Sequence, residues 1–298
     1  MHWITASLVS AGFAGVNELS SKHALQENAV VPVLFHSMLY CAAAWIVLMV
    51  AQAVQPGLLP ASLVADRIGM LQHLQLMLKA LIVASAWATT YFGLKHLPVS
   101  LASPIRATGP LWTFLGAVIV LVERPTLLET LGIITTLGSF VGLSFVGRRE
   151  GVHFHRNKWV GYLLAGTLLN AVSAIYDKYL LGTAHLSVPT VQAWYSIYML
   201  VFFAPLAIGW QRRWWPRNEF QWRWSIPLIA LSMLAGDYVY FAALRDPAAL
   251  VSLVISLRRG STLVAFAGGI WLFREPNGWQ KLPAVIGIVA GMLLTMLG

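Results

Sequence analysis

Ten runs of roughly 20 apolar residues recur from one end of this 298-residue chain to the other, and they confine it to one kind of environment. They cover residues 2–21, 31–52, 75–95, 98–122, 127–147, 159–181, 188–210, 225–244, 247–272 and 278–297. Each is long enough to cross a ~30 Å hydrocarbon core as an α-helix. Charged residues make up only 10% of the chain, whereas a soluble domain carries about 25%, so a water-facing surface cannot be assembled. The predicted fold class is therefore all-α and integral to a membrane, with ten transmembrane helices. The connection 53–74 is the long one and, with Pro56, Gly57, Pro60, Asp66 and Arg67, leaves room for an interfacial helix.

The formal net charge of +9 sits in short loops, as in Arg148, Arg149, Arg156 and Lys158, and again in Arg212, Arg213, Arg217 and Arg223. That clustering fits loops lying against anionic lipid headgroups and argues against nucleic acid as a partner. Trp159, Trp210, Trp214, Trp215, Trp222, Trp224 and Trp279 stand at span edges, where an aromatic belt anchors helices. Cys41, the single cysteine, excludes an internal disulfide, and the eight histidines lack ligand spacing, so neither a metal site nor a cofactor is expected. The first run lacks a basic leader and holds Asn17 and Glu18, which predicts a retained span rather than a signal peptide. Alternating connections carry twelve Lys and Arg on one side and five on the other, which places both ends of the chain outside. The expected location is a bacterial cytoplasmic (inner) membrane.

An internal repeat organises the spans. Residues 91–98, YFGLKHLP, resemble 240–247, YFAALRDP, at an offset of 149, and VERP at 122–125 echoes FREP at 273–276. Gly138 and Gly142 match Gly287 and Gly291 at the same offset, each pair at i, i+4 and predicted to pack helices closely. The halves are residues 1–150 and 151–298. Five spans per half is an odd number, so the halves must be inverted in the membrane, an arrangement associated with alternating-access transport.

The stretches YFGLKHLPVSLASPI and GPLWTFLGAVIVLVERPTLLETLGI, with LRDPAALVSLV and LVAFAGGIWLFREP in the second half, resemble the EamA domain of the drug/metabolite transporter superfamily. The resemblance implies two inverted five-helix EamA-like repeats, a non-enzymatic transporter, and kinship with amino-acid exporters and with nucleotide-sugar and triose-phosphate carriers. One departure lies in the second span, where family members often carry an Arg after the proline and this chain has His36.

Ionisable groups inside spans cost about 3 kcal/mol or more each, which makes them functional candidates. Glu18, Arg106, Asp237, Arg258 and Arg259 stand well inside, three positive against two negative. If both carboxylates pair, one arginine is left for an anionic ligand, whose phosphate or carboxylate suits the guanidinium fork. Pro104 and Pro110 interrupt the fourth span around Arg106, and Arg258 lies near the corresponding place in the ninth. The competing reading pairs Arg106 with Glu18 and Arg258 or Arg259 with Asp237 as interhelical locks. Glu18 and Asp237 are the candidates for coupling or gating. Lys79, Asp177 and Lys178, nearer span ends, are expected to be structural, their long side chains snorkelling. Trp87 with Tyr91, Tyr195 with Tyr198, and Asn17 and Asn170 complete the candidate substrate site.

No catalytic constellation and no GxxxxGK[ST] loop occur. The leading expectation is a secondary transporter or flippase for a small organic anion, monomeric or homodimeric. The alternatives are a proton-coupled exporter of amino acids or amphipathic cations and, from another class, a membrane-embedded transferase acting on lipid-linked substrates.

Overall fold

The computed structural model describes residues 2–96, 105–106, 108–145, 158–214, 219–261, 263–264, 267–268 and 278–297. Among the described residues all regular structure is helical. In chain order come α1 (Trp3–Leu25), α2 (Val30–Val54), α3 (Met70–His96), α4 (Gly109–Val120), α5 (Leu127–Phe145), α6 (Lys158–Lys178), α7 (Val188–Gln211), α8 (Ser225–Arg245), α9 (Val251–Arg258) and α10 (Gly278–Leu297). Four stretches are long and apolar enough to cross a bilayer by length and composition: Val30–Val54, Lys158–Thr183, Val188–Gln211 and Ser225–Arg245. Shorter apolar helices lie at Gly109–Val120, Leu127–Ser139 and Ile286–Leu297. The second copy of the short motif, FREP, lies outside the described residues, as do Pro98 and Pro104.

Local chemistry sets the helix ends. Thr126 and Glu129 form a capping box at the start of α5: Thr126 N–H donates to Glu129 Oε2 at 2.5 Å, and Glu129 N–H donates to Thr126 Oγ1 at 3.2 Å. Pro110 and Pro189 fall in the first turns of α4 and α7, where a missing N–H costs nothing. Helix α3 starts at Met70, five residues before the apolar run suggests, because Gln72 Oε1 accepts from Gly69 N–H at 2.7 Å and the polar Gln72, His73 and Gln75 belong to the helix. The long connection holds a single 3-10 turn, Ala61–Leu63, and Asp66 clips it to α7 through Ser187 Oγ at 2.5 Å and Thr190 Oγ1 at 3.0 Å.

The main packing partners are α5 with α10, α1 with α8, α3 with α6 and α2 with α7, then α3 with α7, α2 with α8, α4 with α6 and α1 with α9. Exchanging α1–α5 for α6–α10 in order carries every one of these pairs into itself or into another of them. Each pair joins a helix of one half to a helix of the other. The largest apolar cluster lies along these seams and includes Leu180, Leu181, Val191, Phe241, Leu244, Val251, Leu253 and Leu257.

The glycine ladders differ from expectation on one side. A methyl added at Gly291 would sit 2.7 Å from both Gly132 O and Thr136 N, so α5 and α10 meet backbone to backbone there. Gly138 and Gly142 have nothing within 4 Å of an added methyl. The partner of Gly291 is therefore Gly132, because six and ten residues along α5 turn Gly138 and Gly142 off the contact face.

Candidate functional site

The fourth span is interrupted: Ile105 and Arg106 are helical, Thr108 is a turn, and α4 begins at Gly109. The ninth is interrupted at a related place, where α9 ends at Arg258, Arg259 and Gly260 form a turn, and Ser261 is helical again. Gly260 N–H bonds Leu257 O at 2.9 Å and Leu263 N–H bonds Gly260 O at 2.9 Å, tight i, i+3 bonds that mark the break. The two breaks meet. A methyl added at Gly109 would lie 2.9 Å from Arg259 Nη2 and 3.6 Å from Thr167 Cγ2, so the Arg259 guanidinium rests against the first residue of α4.

Arg106 and Glu18 share this neighbourhood, since Arg259 interacts electrostatically with both. The Glu18 carboxylate accepts from Ser261 Oγ at 3.2 Å. Arg106 and Glu18 are exposed and Arg259 is half-buried, although all three lie within apolar spans. Arg259 thus lies within electrostatic reach of a second guanidinium as well as of a carboxylate.

Arg258 is differently engaged. Its Nη2 donates to Asp237 Oδ1 at 2.5 Å, and its guanidinium stacks 4.4 Å from the Tyr240 ring centre. Beside this pair Lys79 of α3 donates to Asp177 of α6, with side chains only 2% and 5% exposed. The Lys79 ammonium lies 4.5 Å from the Tyr195 ring centre and 5.1 Å from that of Phe241. Asp177 interacts electrostatically with Asp237 and Arg258, which joins the two pairs into one network. Lys79 does not snorkel as expected: with α3 starting at Met70 it lies more than two turns inside the helix and on its buried face.

The other sequence candidates hold packing positions. Trp87 packs against Phe203 at 6.2 Å between ring centres. Tyr195 is 5% exposed and meets Phe241 edge to face at 6.5 Å. Tyr198 stacks on Trp194 at 5.8 Å and bonds His73 Nδ1 at 2.9 Å. Asn17 ties α1 to α8, donating to Ile229 O at 3.1 Å and Ser232 Oγ at 3.3 Å. The Asn170 amide donates to Gly166 O in its own helix at 2.9 Å. The Tyr91 side chain lies outside the described residues. His36 bonds Pro32 O at 2.7 Å and stacks on Phe220 at 5.0 Å.

Two residues brace the α8–α9 elbow: Glu123, whose role sequence reasoning missed, and Lys178, which was expected to be structural. Glu123 of VERP is 8% exposed, and its carboxylate accepts from Val251 N–H at 2.5 Å and Ser252 Oγ at 2.7 Å, capping α9 from the other half of the chain. Lys178 Nζ donates to Leu244 O, Asp246 O and Ala249 O at 3.0, 2.8 and 2.7 Å, closing the C-terminal end of α8. The signal for Glu123 was the repeated Glu-Pro motif itself. Among the described residues no three His, Cys, Asp or Glu side chains gather as a metal site.

Residues 1–145 match the EamA-like transporter family, so the first half of the chain is an EamA domain of the drug/metabolite transporter type. Together with the apolar helices, this match makes the chain an integral membrane protein. A solved structure titled only "Crystal structure of protein" aligns over 98% of both chains with a TM-score of 0.70 and 17% identity, which establishes a shared fold. No curated protein matches the chain.

Proposed function

We propose that this protein moves a small organic anion across the membrane by alternating access, between two inverted five-helix halves spanning residues 1–150 and 151–298. The observation that carries the proposal is the meeting of the two broken spans, where Arg259 rests against Gly109 within electrostatic reach of both Arg106 and the Glu18 carboxylate. An excess guanidinium within a bilayer is costly unless an anion or water compensates it, and the accessibility of Arg106 and Glu18 fits an aqueous space. Broken helices presenting polar groups near the midplane are how such transporters hold charged cargo. Arg258, already paired with Asp237, serves as an interhelical lock in this reading.

The test uses Gly109→Ala beside Arg259→Ala. The added methyl displaces only the flexible end of Arg259, so the fold should persist while the anion site is disturbed. Purified protein is screened by thermal shift against succinate, glucose 6-phosphate and tetraphenylphosphonium, since a ligand of the folded state alone raises the midpoint. An anion should stabilise the wild type and lose at least tenfold in affinity in both variants. Stabilisation by the cation alone, or anion binding unchanged in both variants, would sink the proposal.

A further inference from the structure

The four-charge network adjoins the anion site through Arg258, the chain neighbour of Arg259, and has a different character. It contains Lys79 and Arg258 against Asp177 and Asp237, a balanced set with no surplus to offer a ligand. It is also asymmetric. The repeat offset of 149 pairs Lys79 of α3 with Leu228 of α8, so the scaffold forms the equivalent helix without a charge at that position. A charge that one copy of the same helix lacks is not required by the fold.

We propose that Lys79, held by Asp177, is the proton-carrying group that couples transport to a proton gradient, an inference that rests on the alternating-access reading. Lys79 and Asp177 bridge α3 and α6, one of the principal seams between the halves. Helices cannot part there while both groups stay charged, because uncompensated buried ions cost several kcal/mol each. Of the two cations only Lys79 can release a proton, since a guanidinium stays charged.

Its surroundings accommodate both protonation states. The charged ammonium faces Asp177 of α6 and the rings of Tyr195 of α7 and Phe241 of α8. The neutral amine is left among those rings. Asp177 does not then stand alone: the Tyr240 hydroxyl and the Arg258 guanidinium are within its electrostatic reach, while Asp237 of α8 and Cys41 of α2 complete the titratable groups around the network. In each release one N–H bond breaks, the electron pair stays on Nζ and the proton passes to water on the open side. Reprotonation from the opposite side restores the ion pair, giving one proton per cycle. Glu18, the earlier candidate for this role, is exposed and belongs to the anion group.

Proteoliposomes on a solid-supported membrane, given a pH jump without any substrate, read the charge displaced as a proton enters the membrane field. The wild type should give a transient displacement, and both Lys79→Arg and the neutral pair Lys79→Met/Asp177→Asn should lose at least nine-tenths of it. Lys79→Arg keeps the charge and hence the pairing, so it remains informative if the double variant does not fold. The anion-induced thermal shift should persist in Lys79→Arg, which separates failure of this proposal from failure of the anion site. No displacement in the wild type, displacement unchanged in folded Lys79→Arg, or displacement lost in Glu18→Gln alone would each overturn it.

Discussion

Gly291→Ala tests whether the backbone contact between α5 and α10 holds the two halves together. The added methyl lies 2.7 Å from Gly132 O and from Thr136 N. Ordinary contact begins near 3.4 Å, and both obstacles are backbone atoms that cannot swing aside, so the helices must separate by about 0.7 Å along the contact. Overpacking of that kind costs about 1–3 kcal/mol, to which widened dispersion contacts along the seam add. At roughly 2–4 °C per kcal/mol, the midpoint should fall by roughly 2–12 °C. The chain supplies its own reporter, because Cys41 is the single cysteine and is 1% exposed. A thiol-reactive fluorogenic dye will react with it only on unfolding. Gly138→Ala is the control: nothing lies within 4 Å of its new methyl, and removing a helical glycine should leave the midpoint level or raised. Equal midpoints for Gly291→Ala and the wild type would refute the reasoning.

The elbow braces give two further expectations with the same dye assay. Glu123→Gln keeps the shape but removes the charge from the α9 N-terminus, and should cost about 1–2 kcal/mol, with Ser252→Ala costing less. Lys178→Met strips three carbonyls of their shared donor and should cost about 1–3 kcal/mol; a midpoint unmoved would mean that water replaces the ammonium.

Much of the architecture was legible because the spans are long and the prolines sit where they matter. Pro110 marked the interruption beside Arg106, and α6 to α8 begin within a residue of the expected starts. The electrostatics were less so. Arg258 and Arg259 are neighbours in sequence, and only their 100° separation around a helix hinted that they would part company, one to Asp237 and the other to Gly109. Lys79 was misjudged for a definable reason: polar residues hid the start of α3, so a lysine inside the helix looked like one at its end. Glu123 was hidden because its partners lie in the other half of the chain, and Lys178 because it bonds only carbonyl oxygens, main-chain atoms that leave no mark on side-chain spacing.

The interleaving of the halves also sets a timetable for synthesis. Lys79 and its partner Asp177 are 98 residues apart, so at roughly 5–20 residues per second the lysine waits about 5–20 s for its counter-ion to be translated. During that interval α3 carries an unpaired ammonium, a costly group to leave in lipid. A chain truncated before residue 177 is thus marked as unfinished by its own unpaired ammonium.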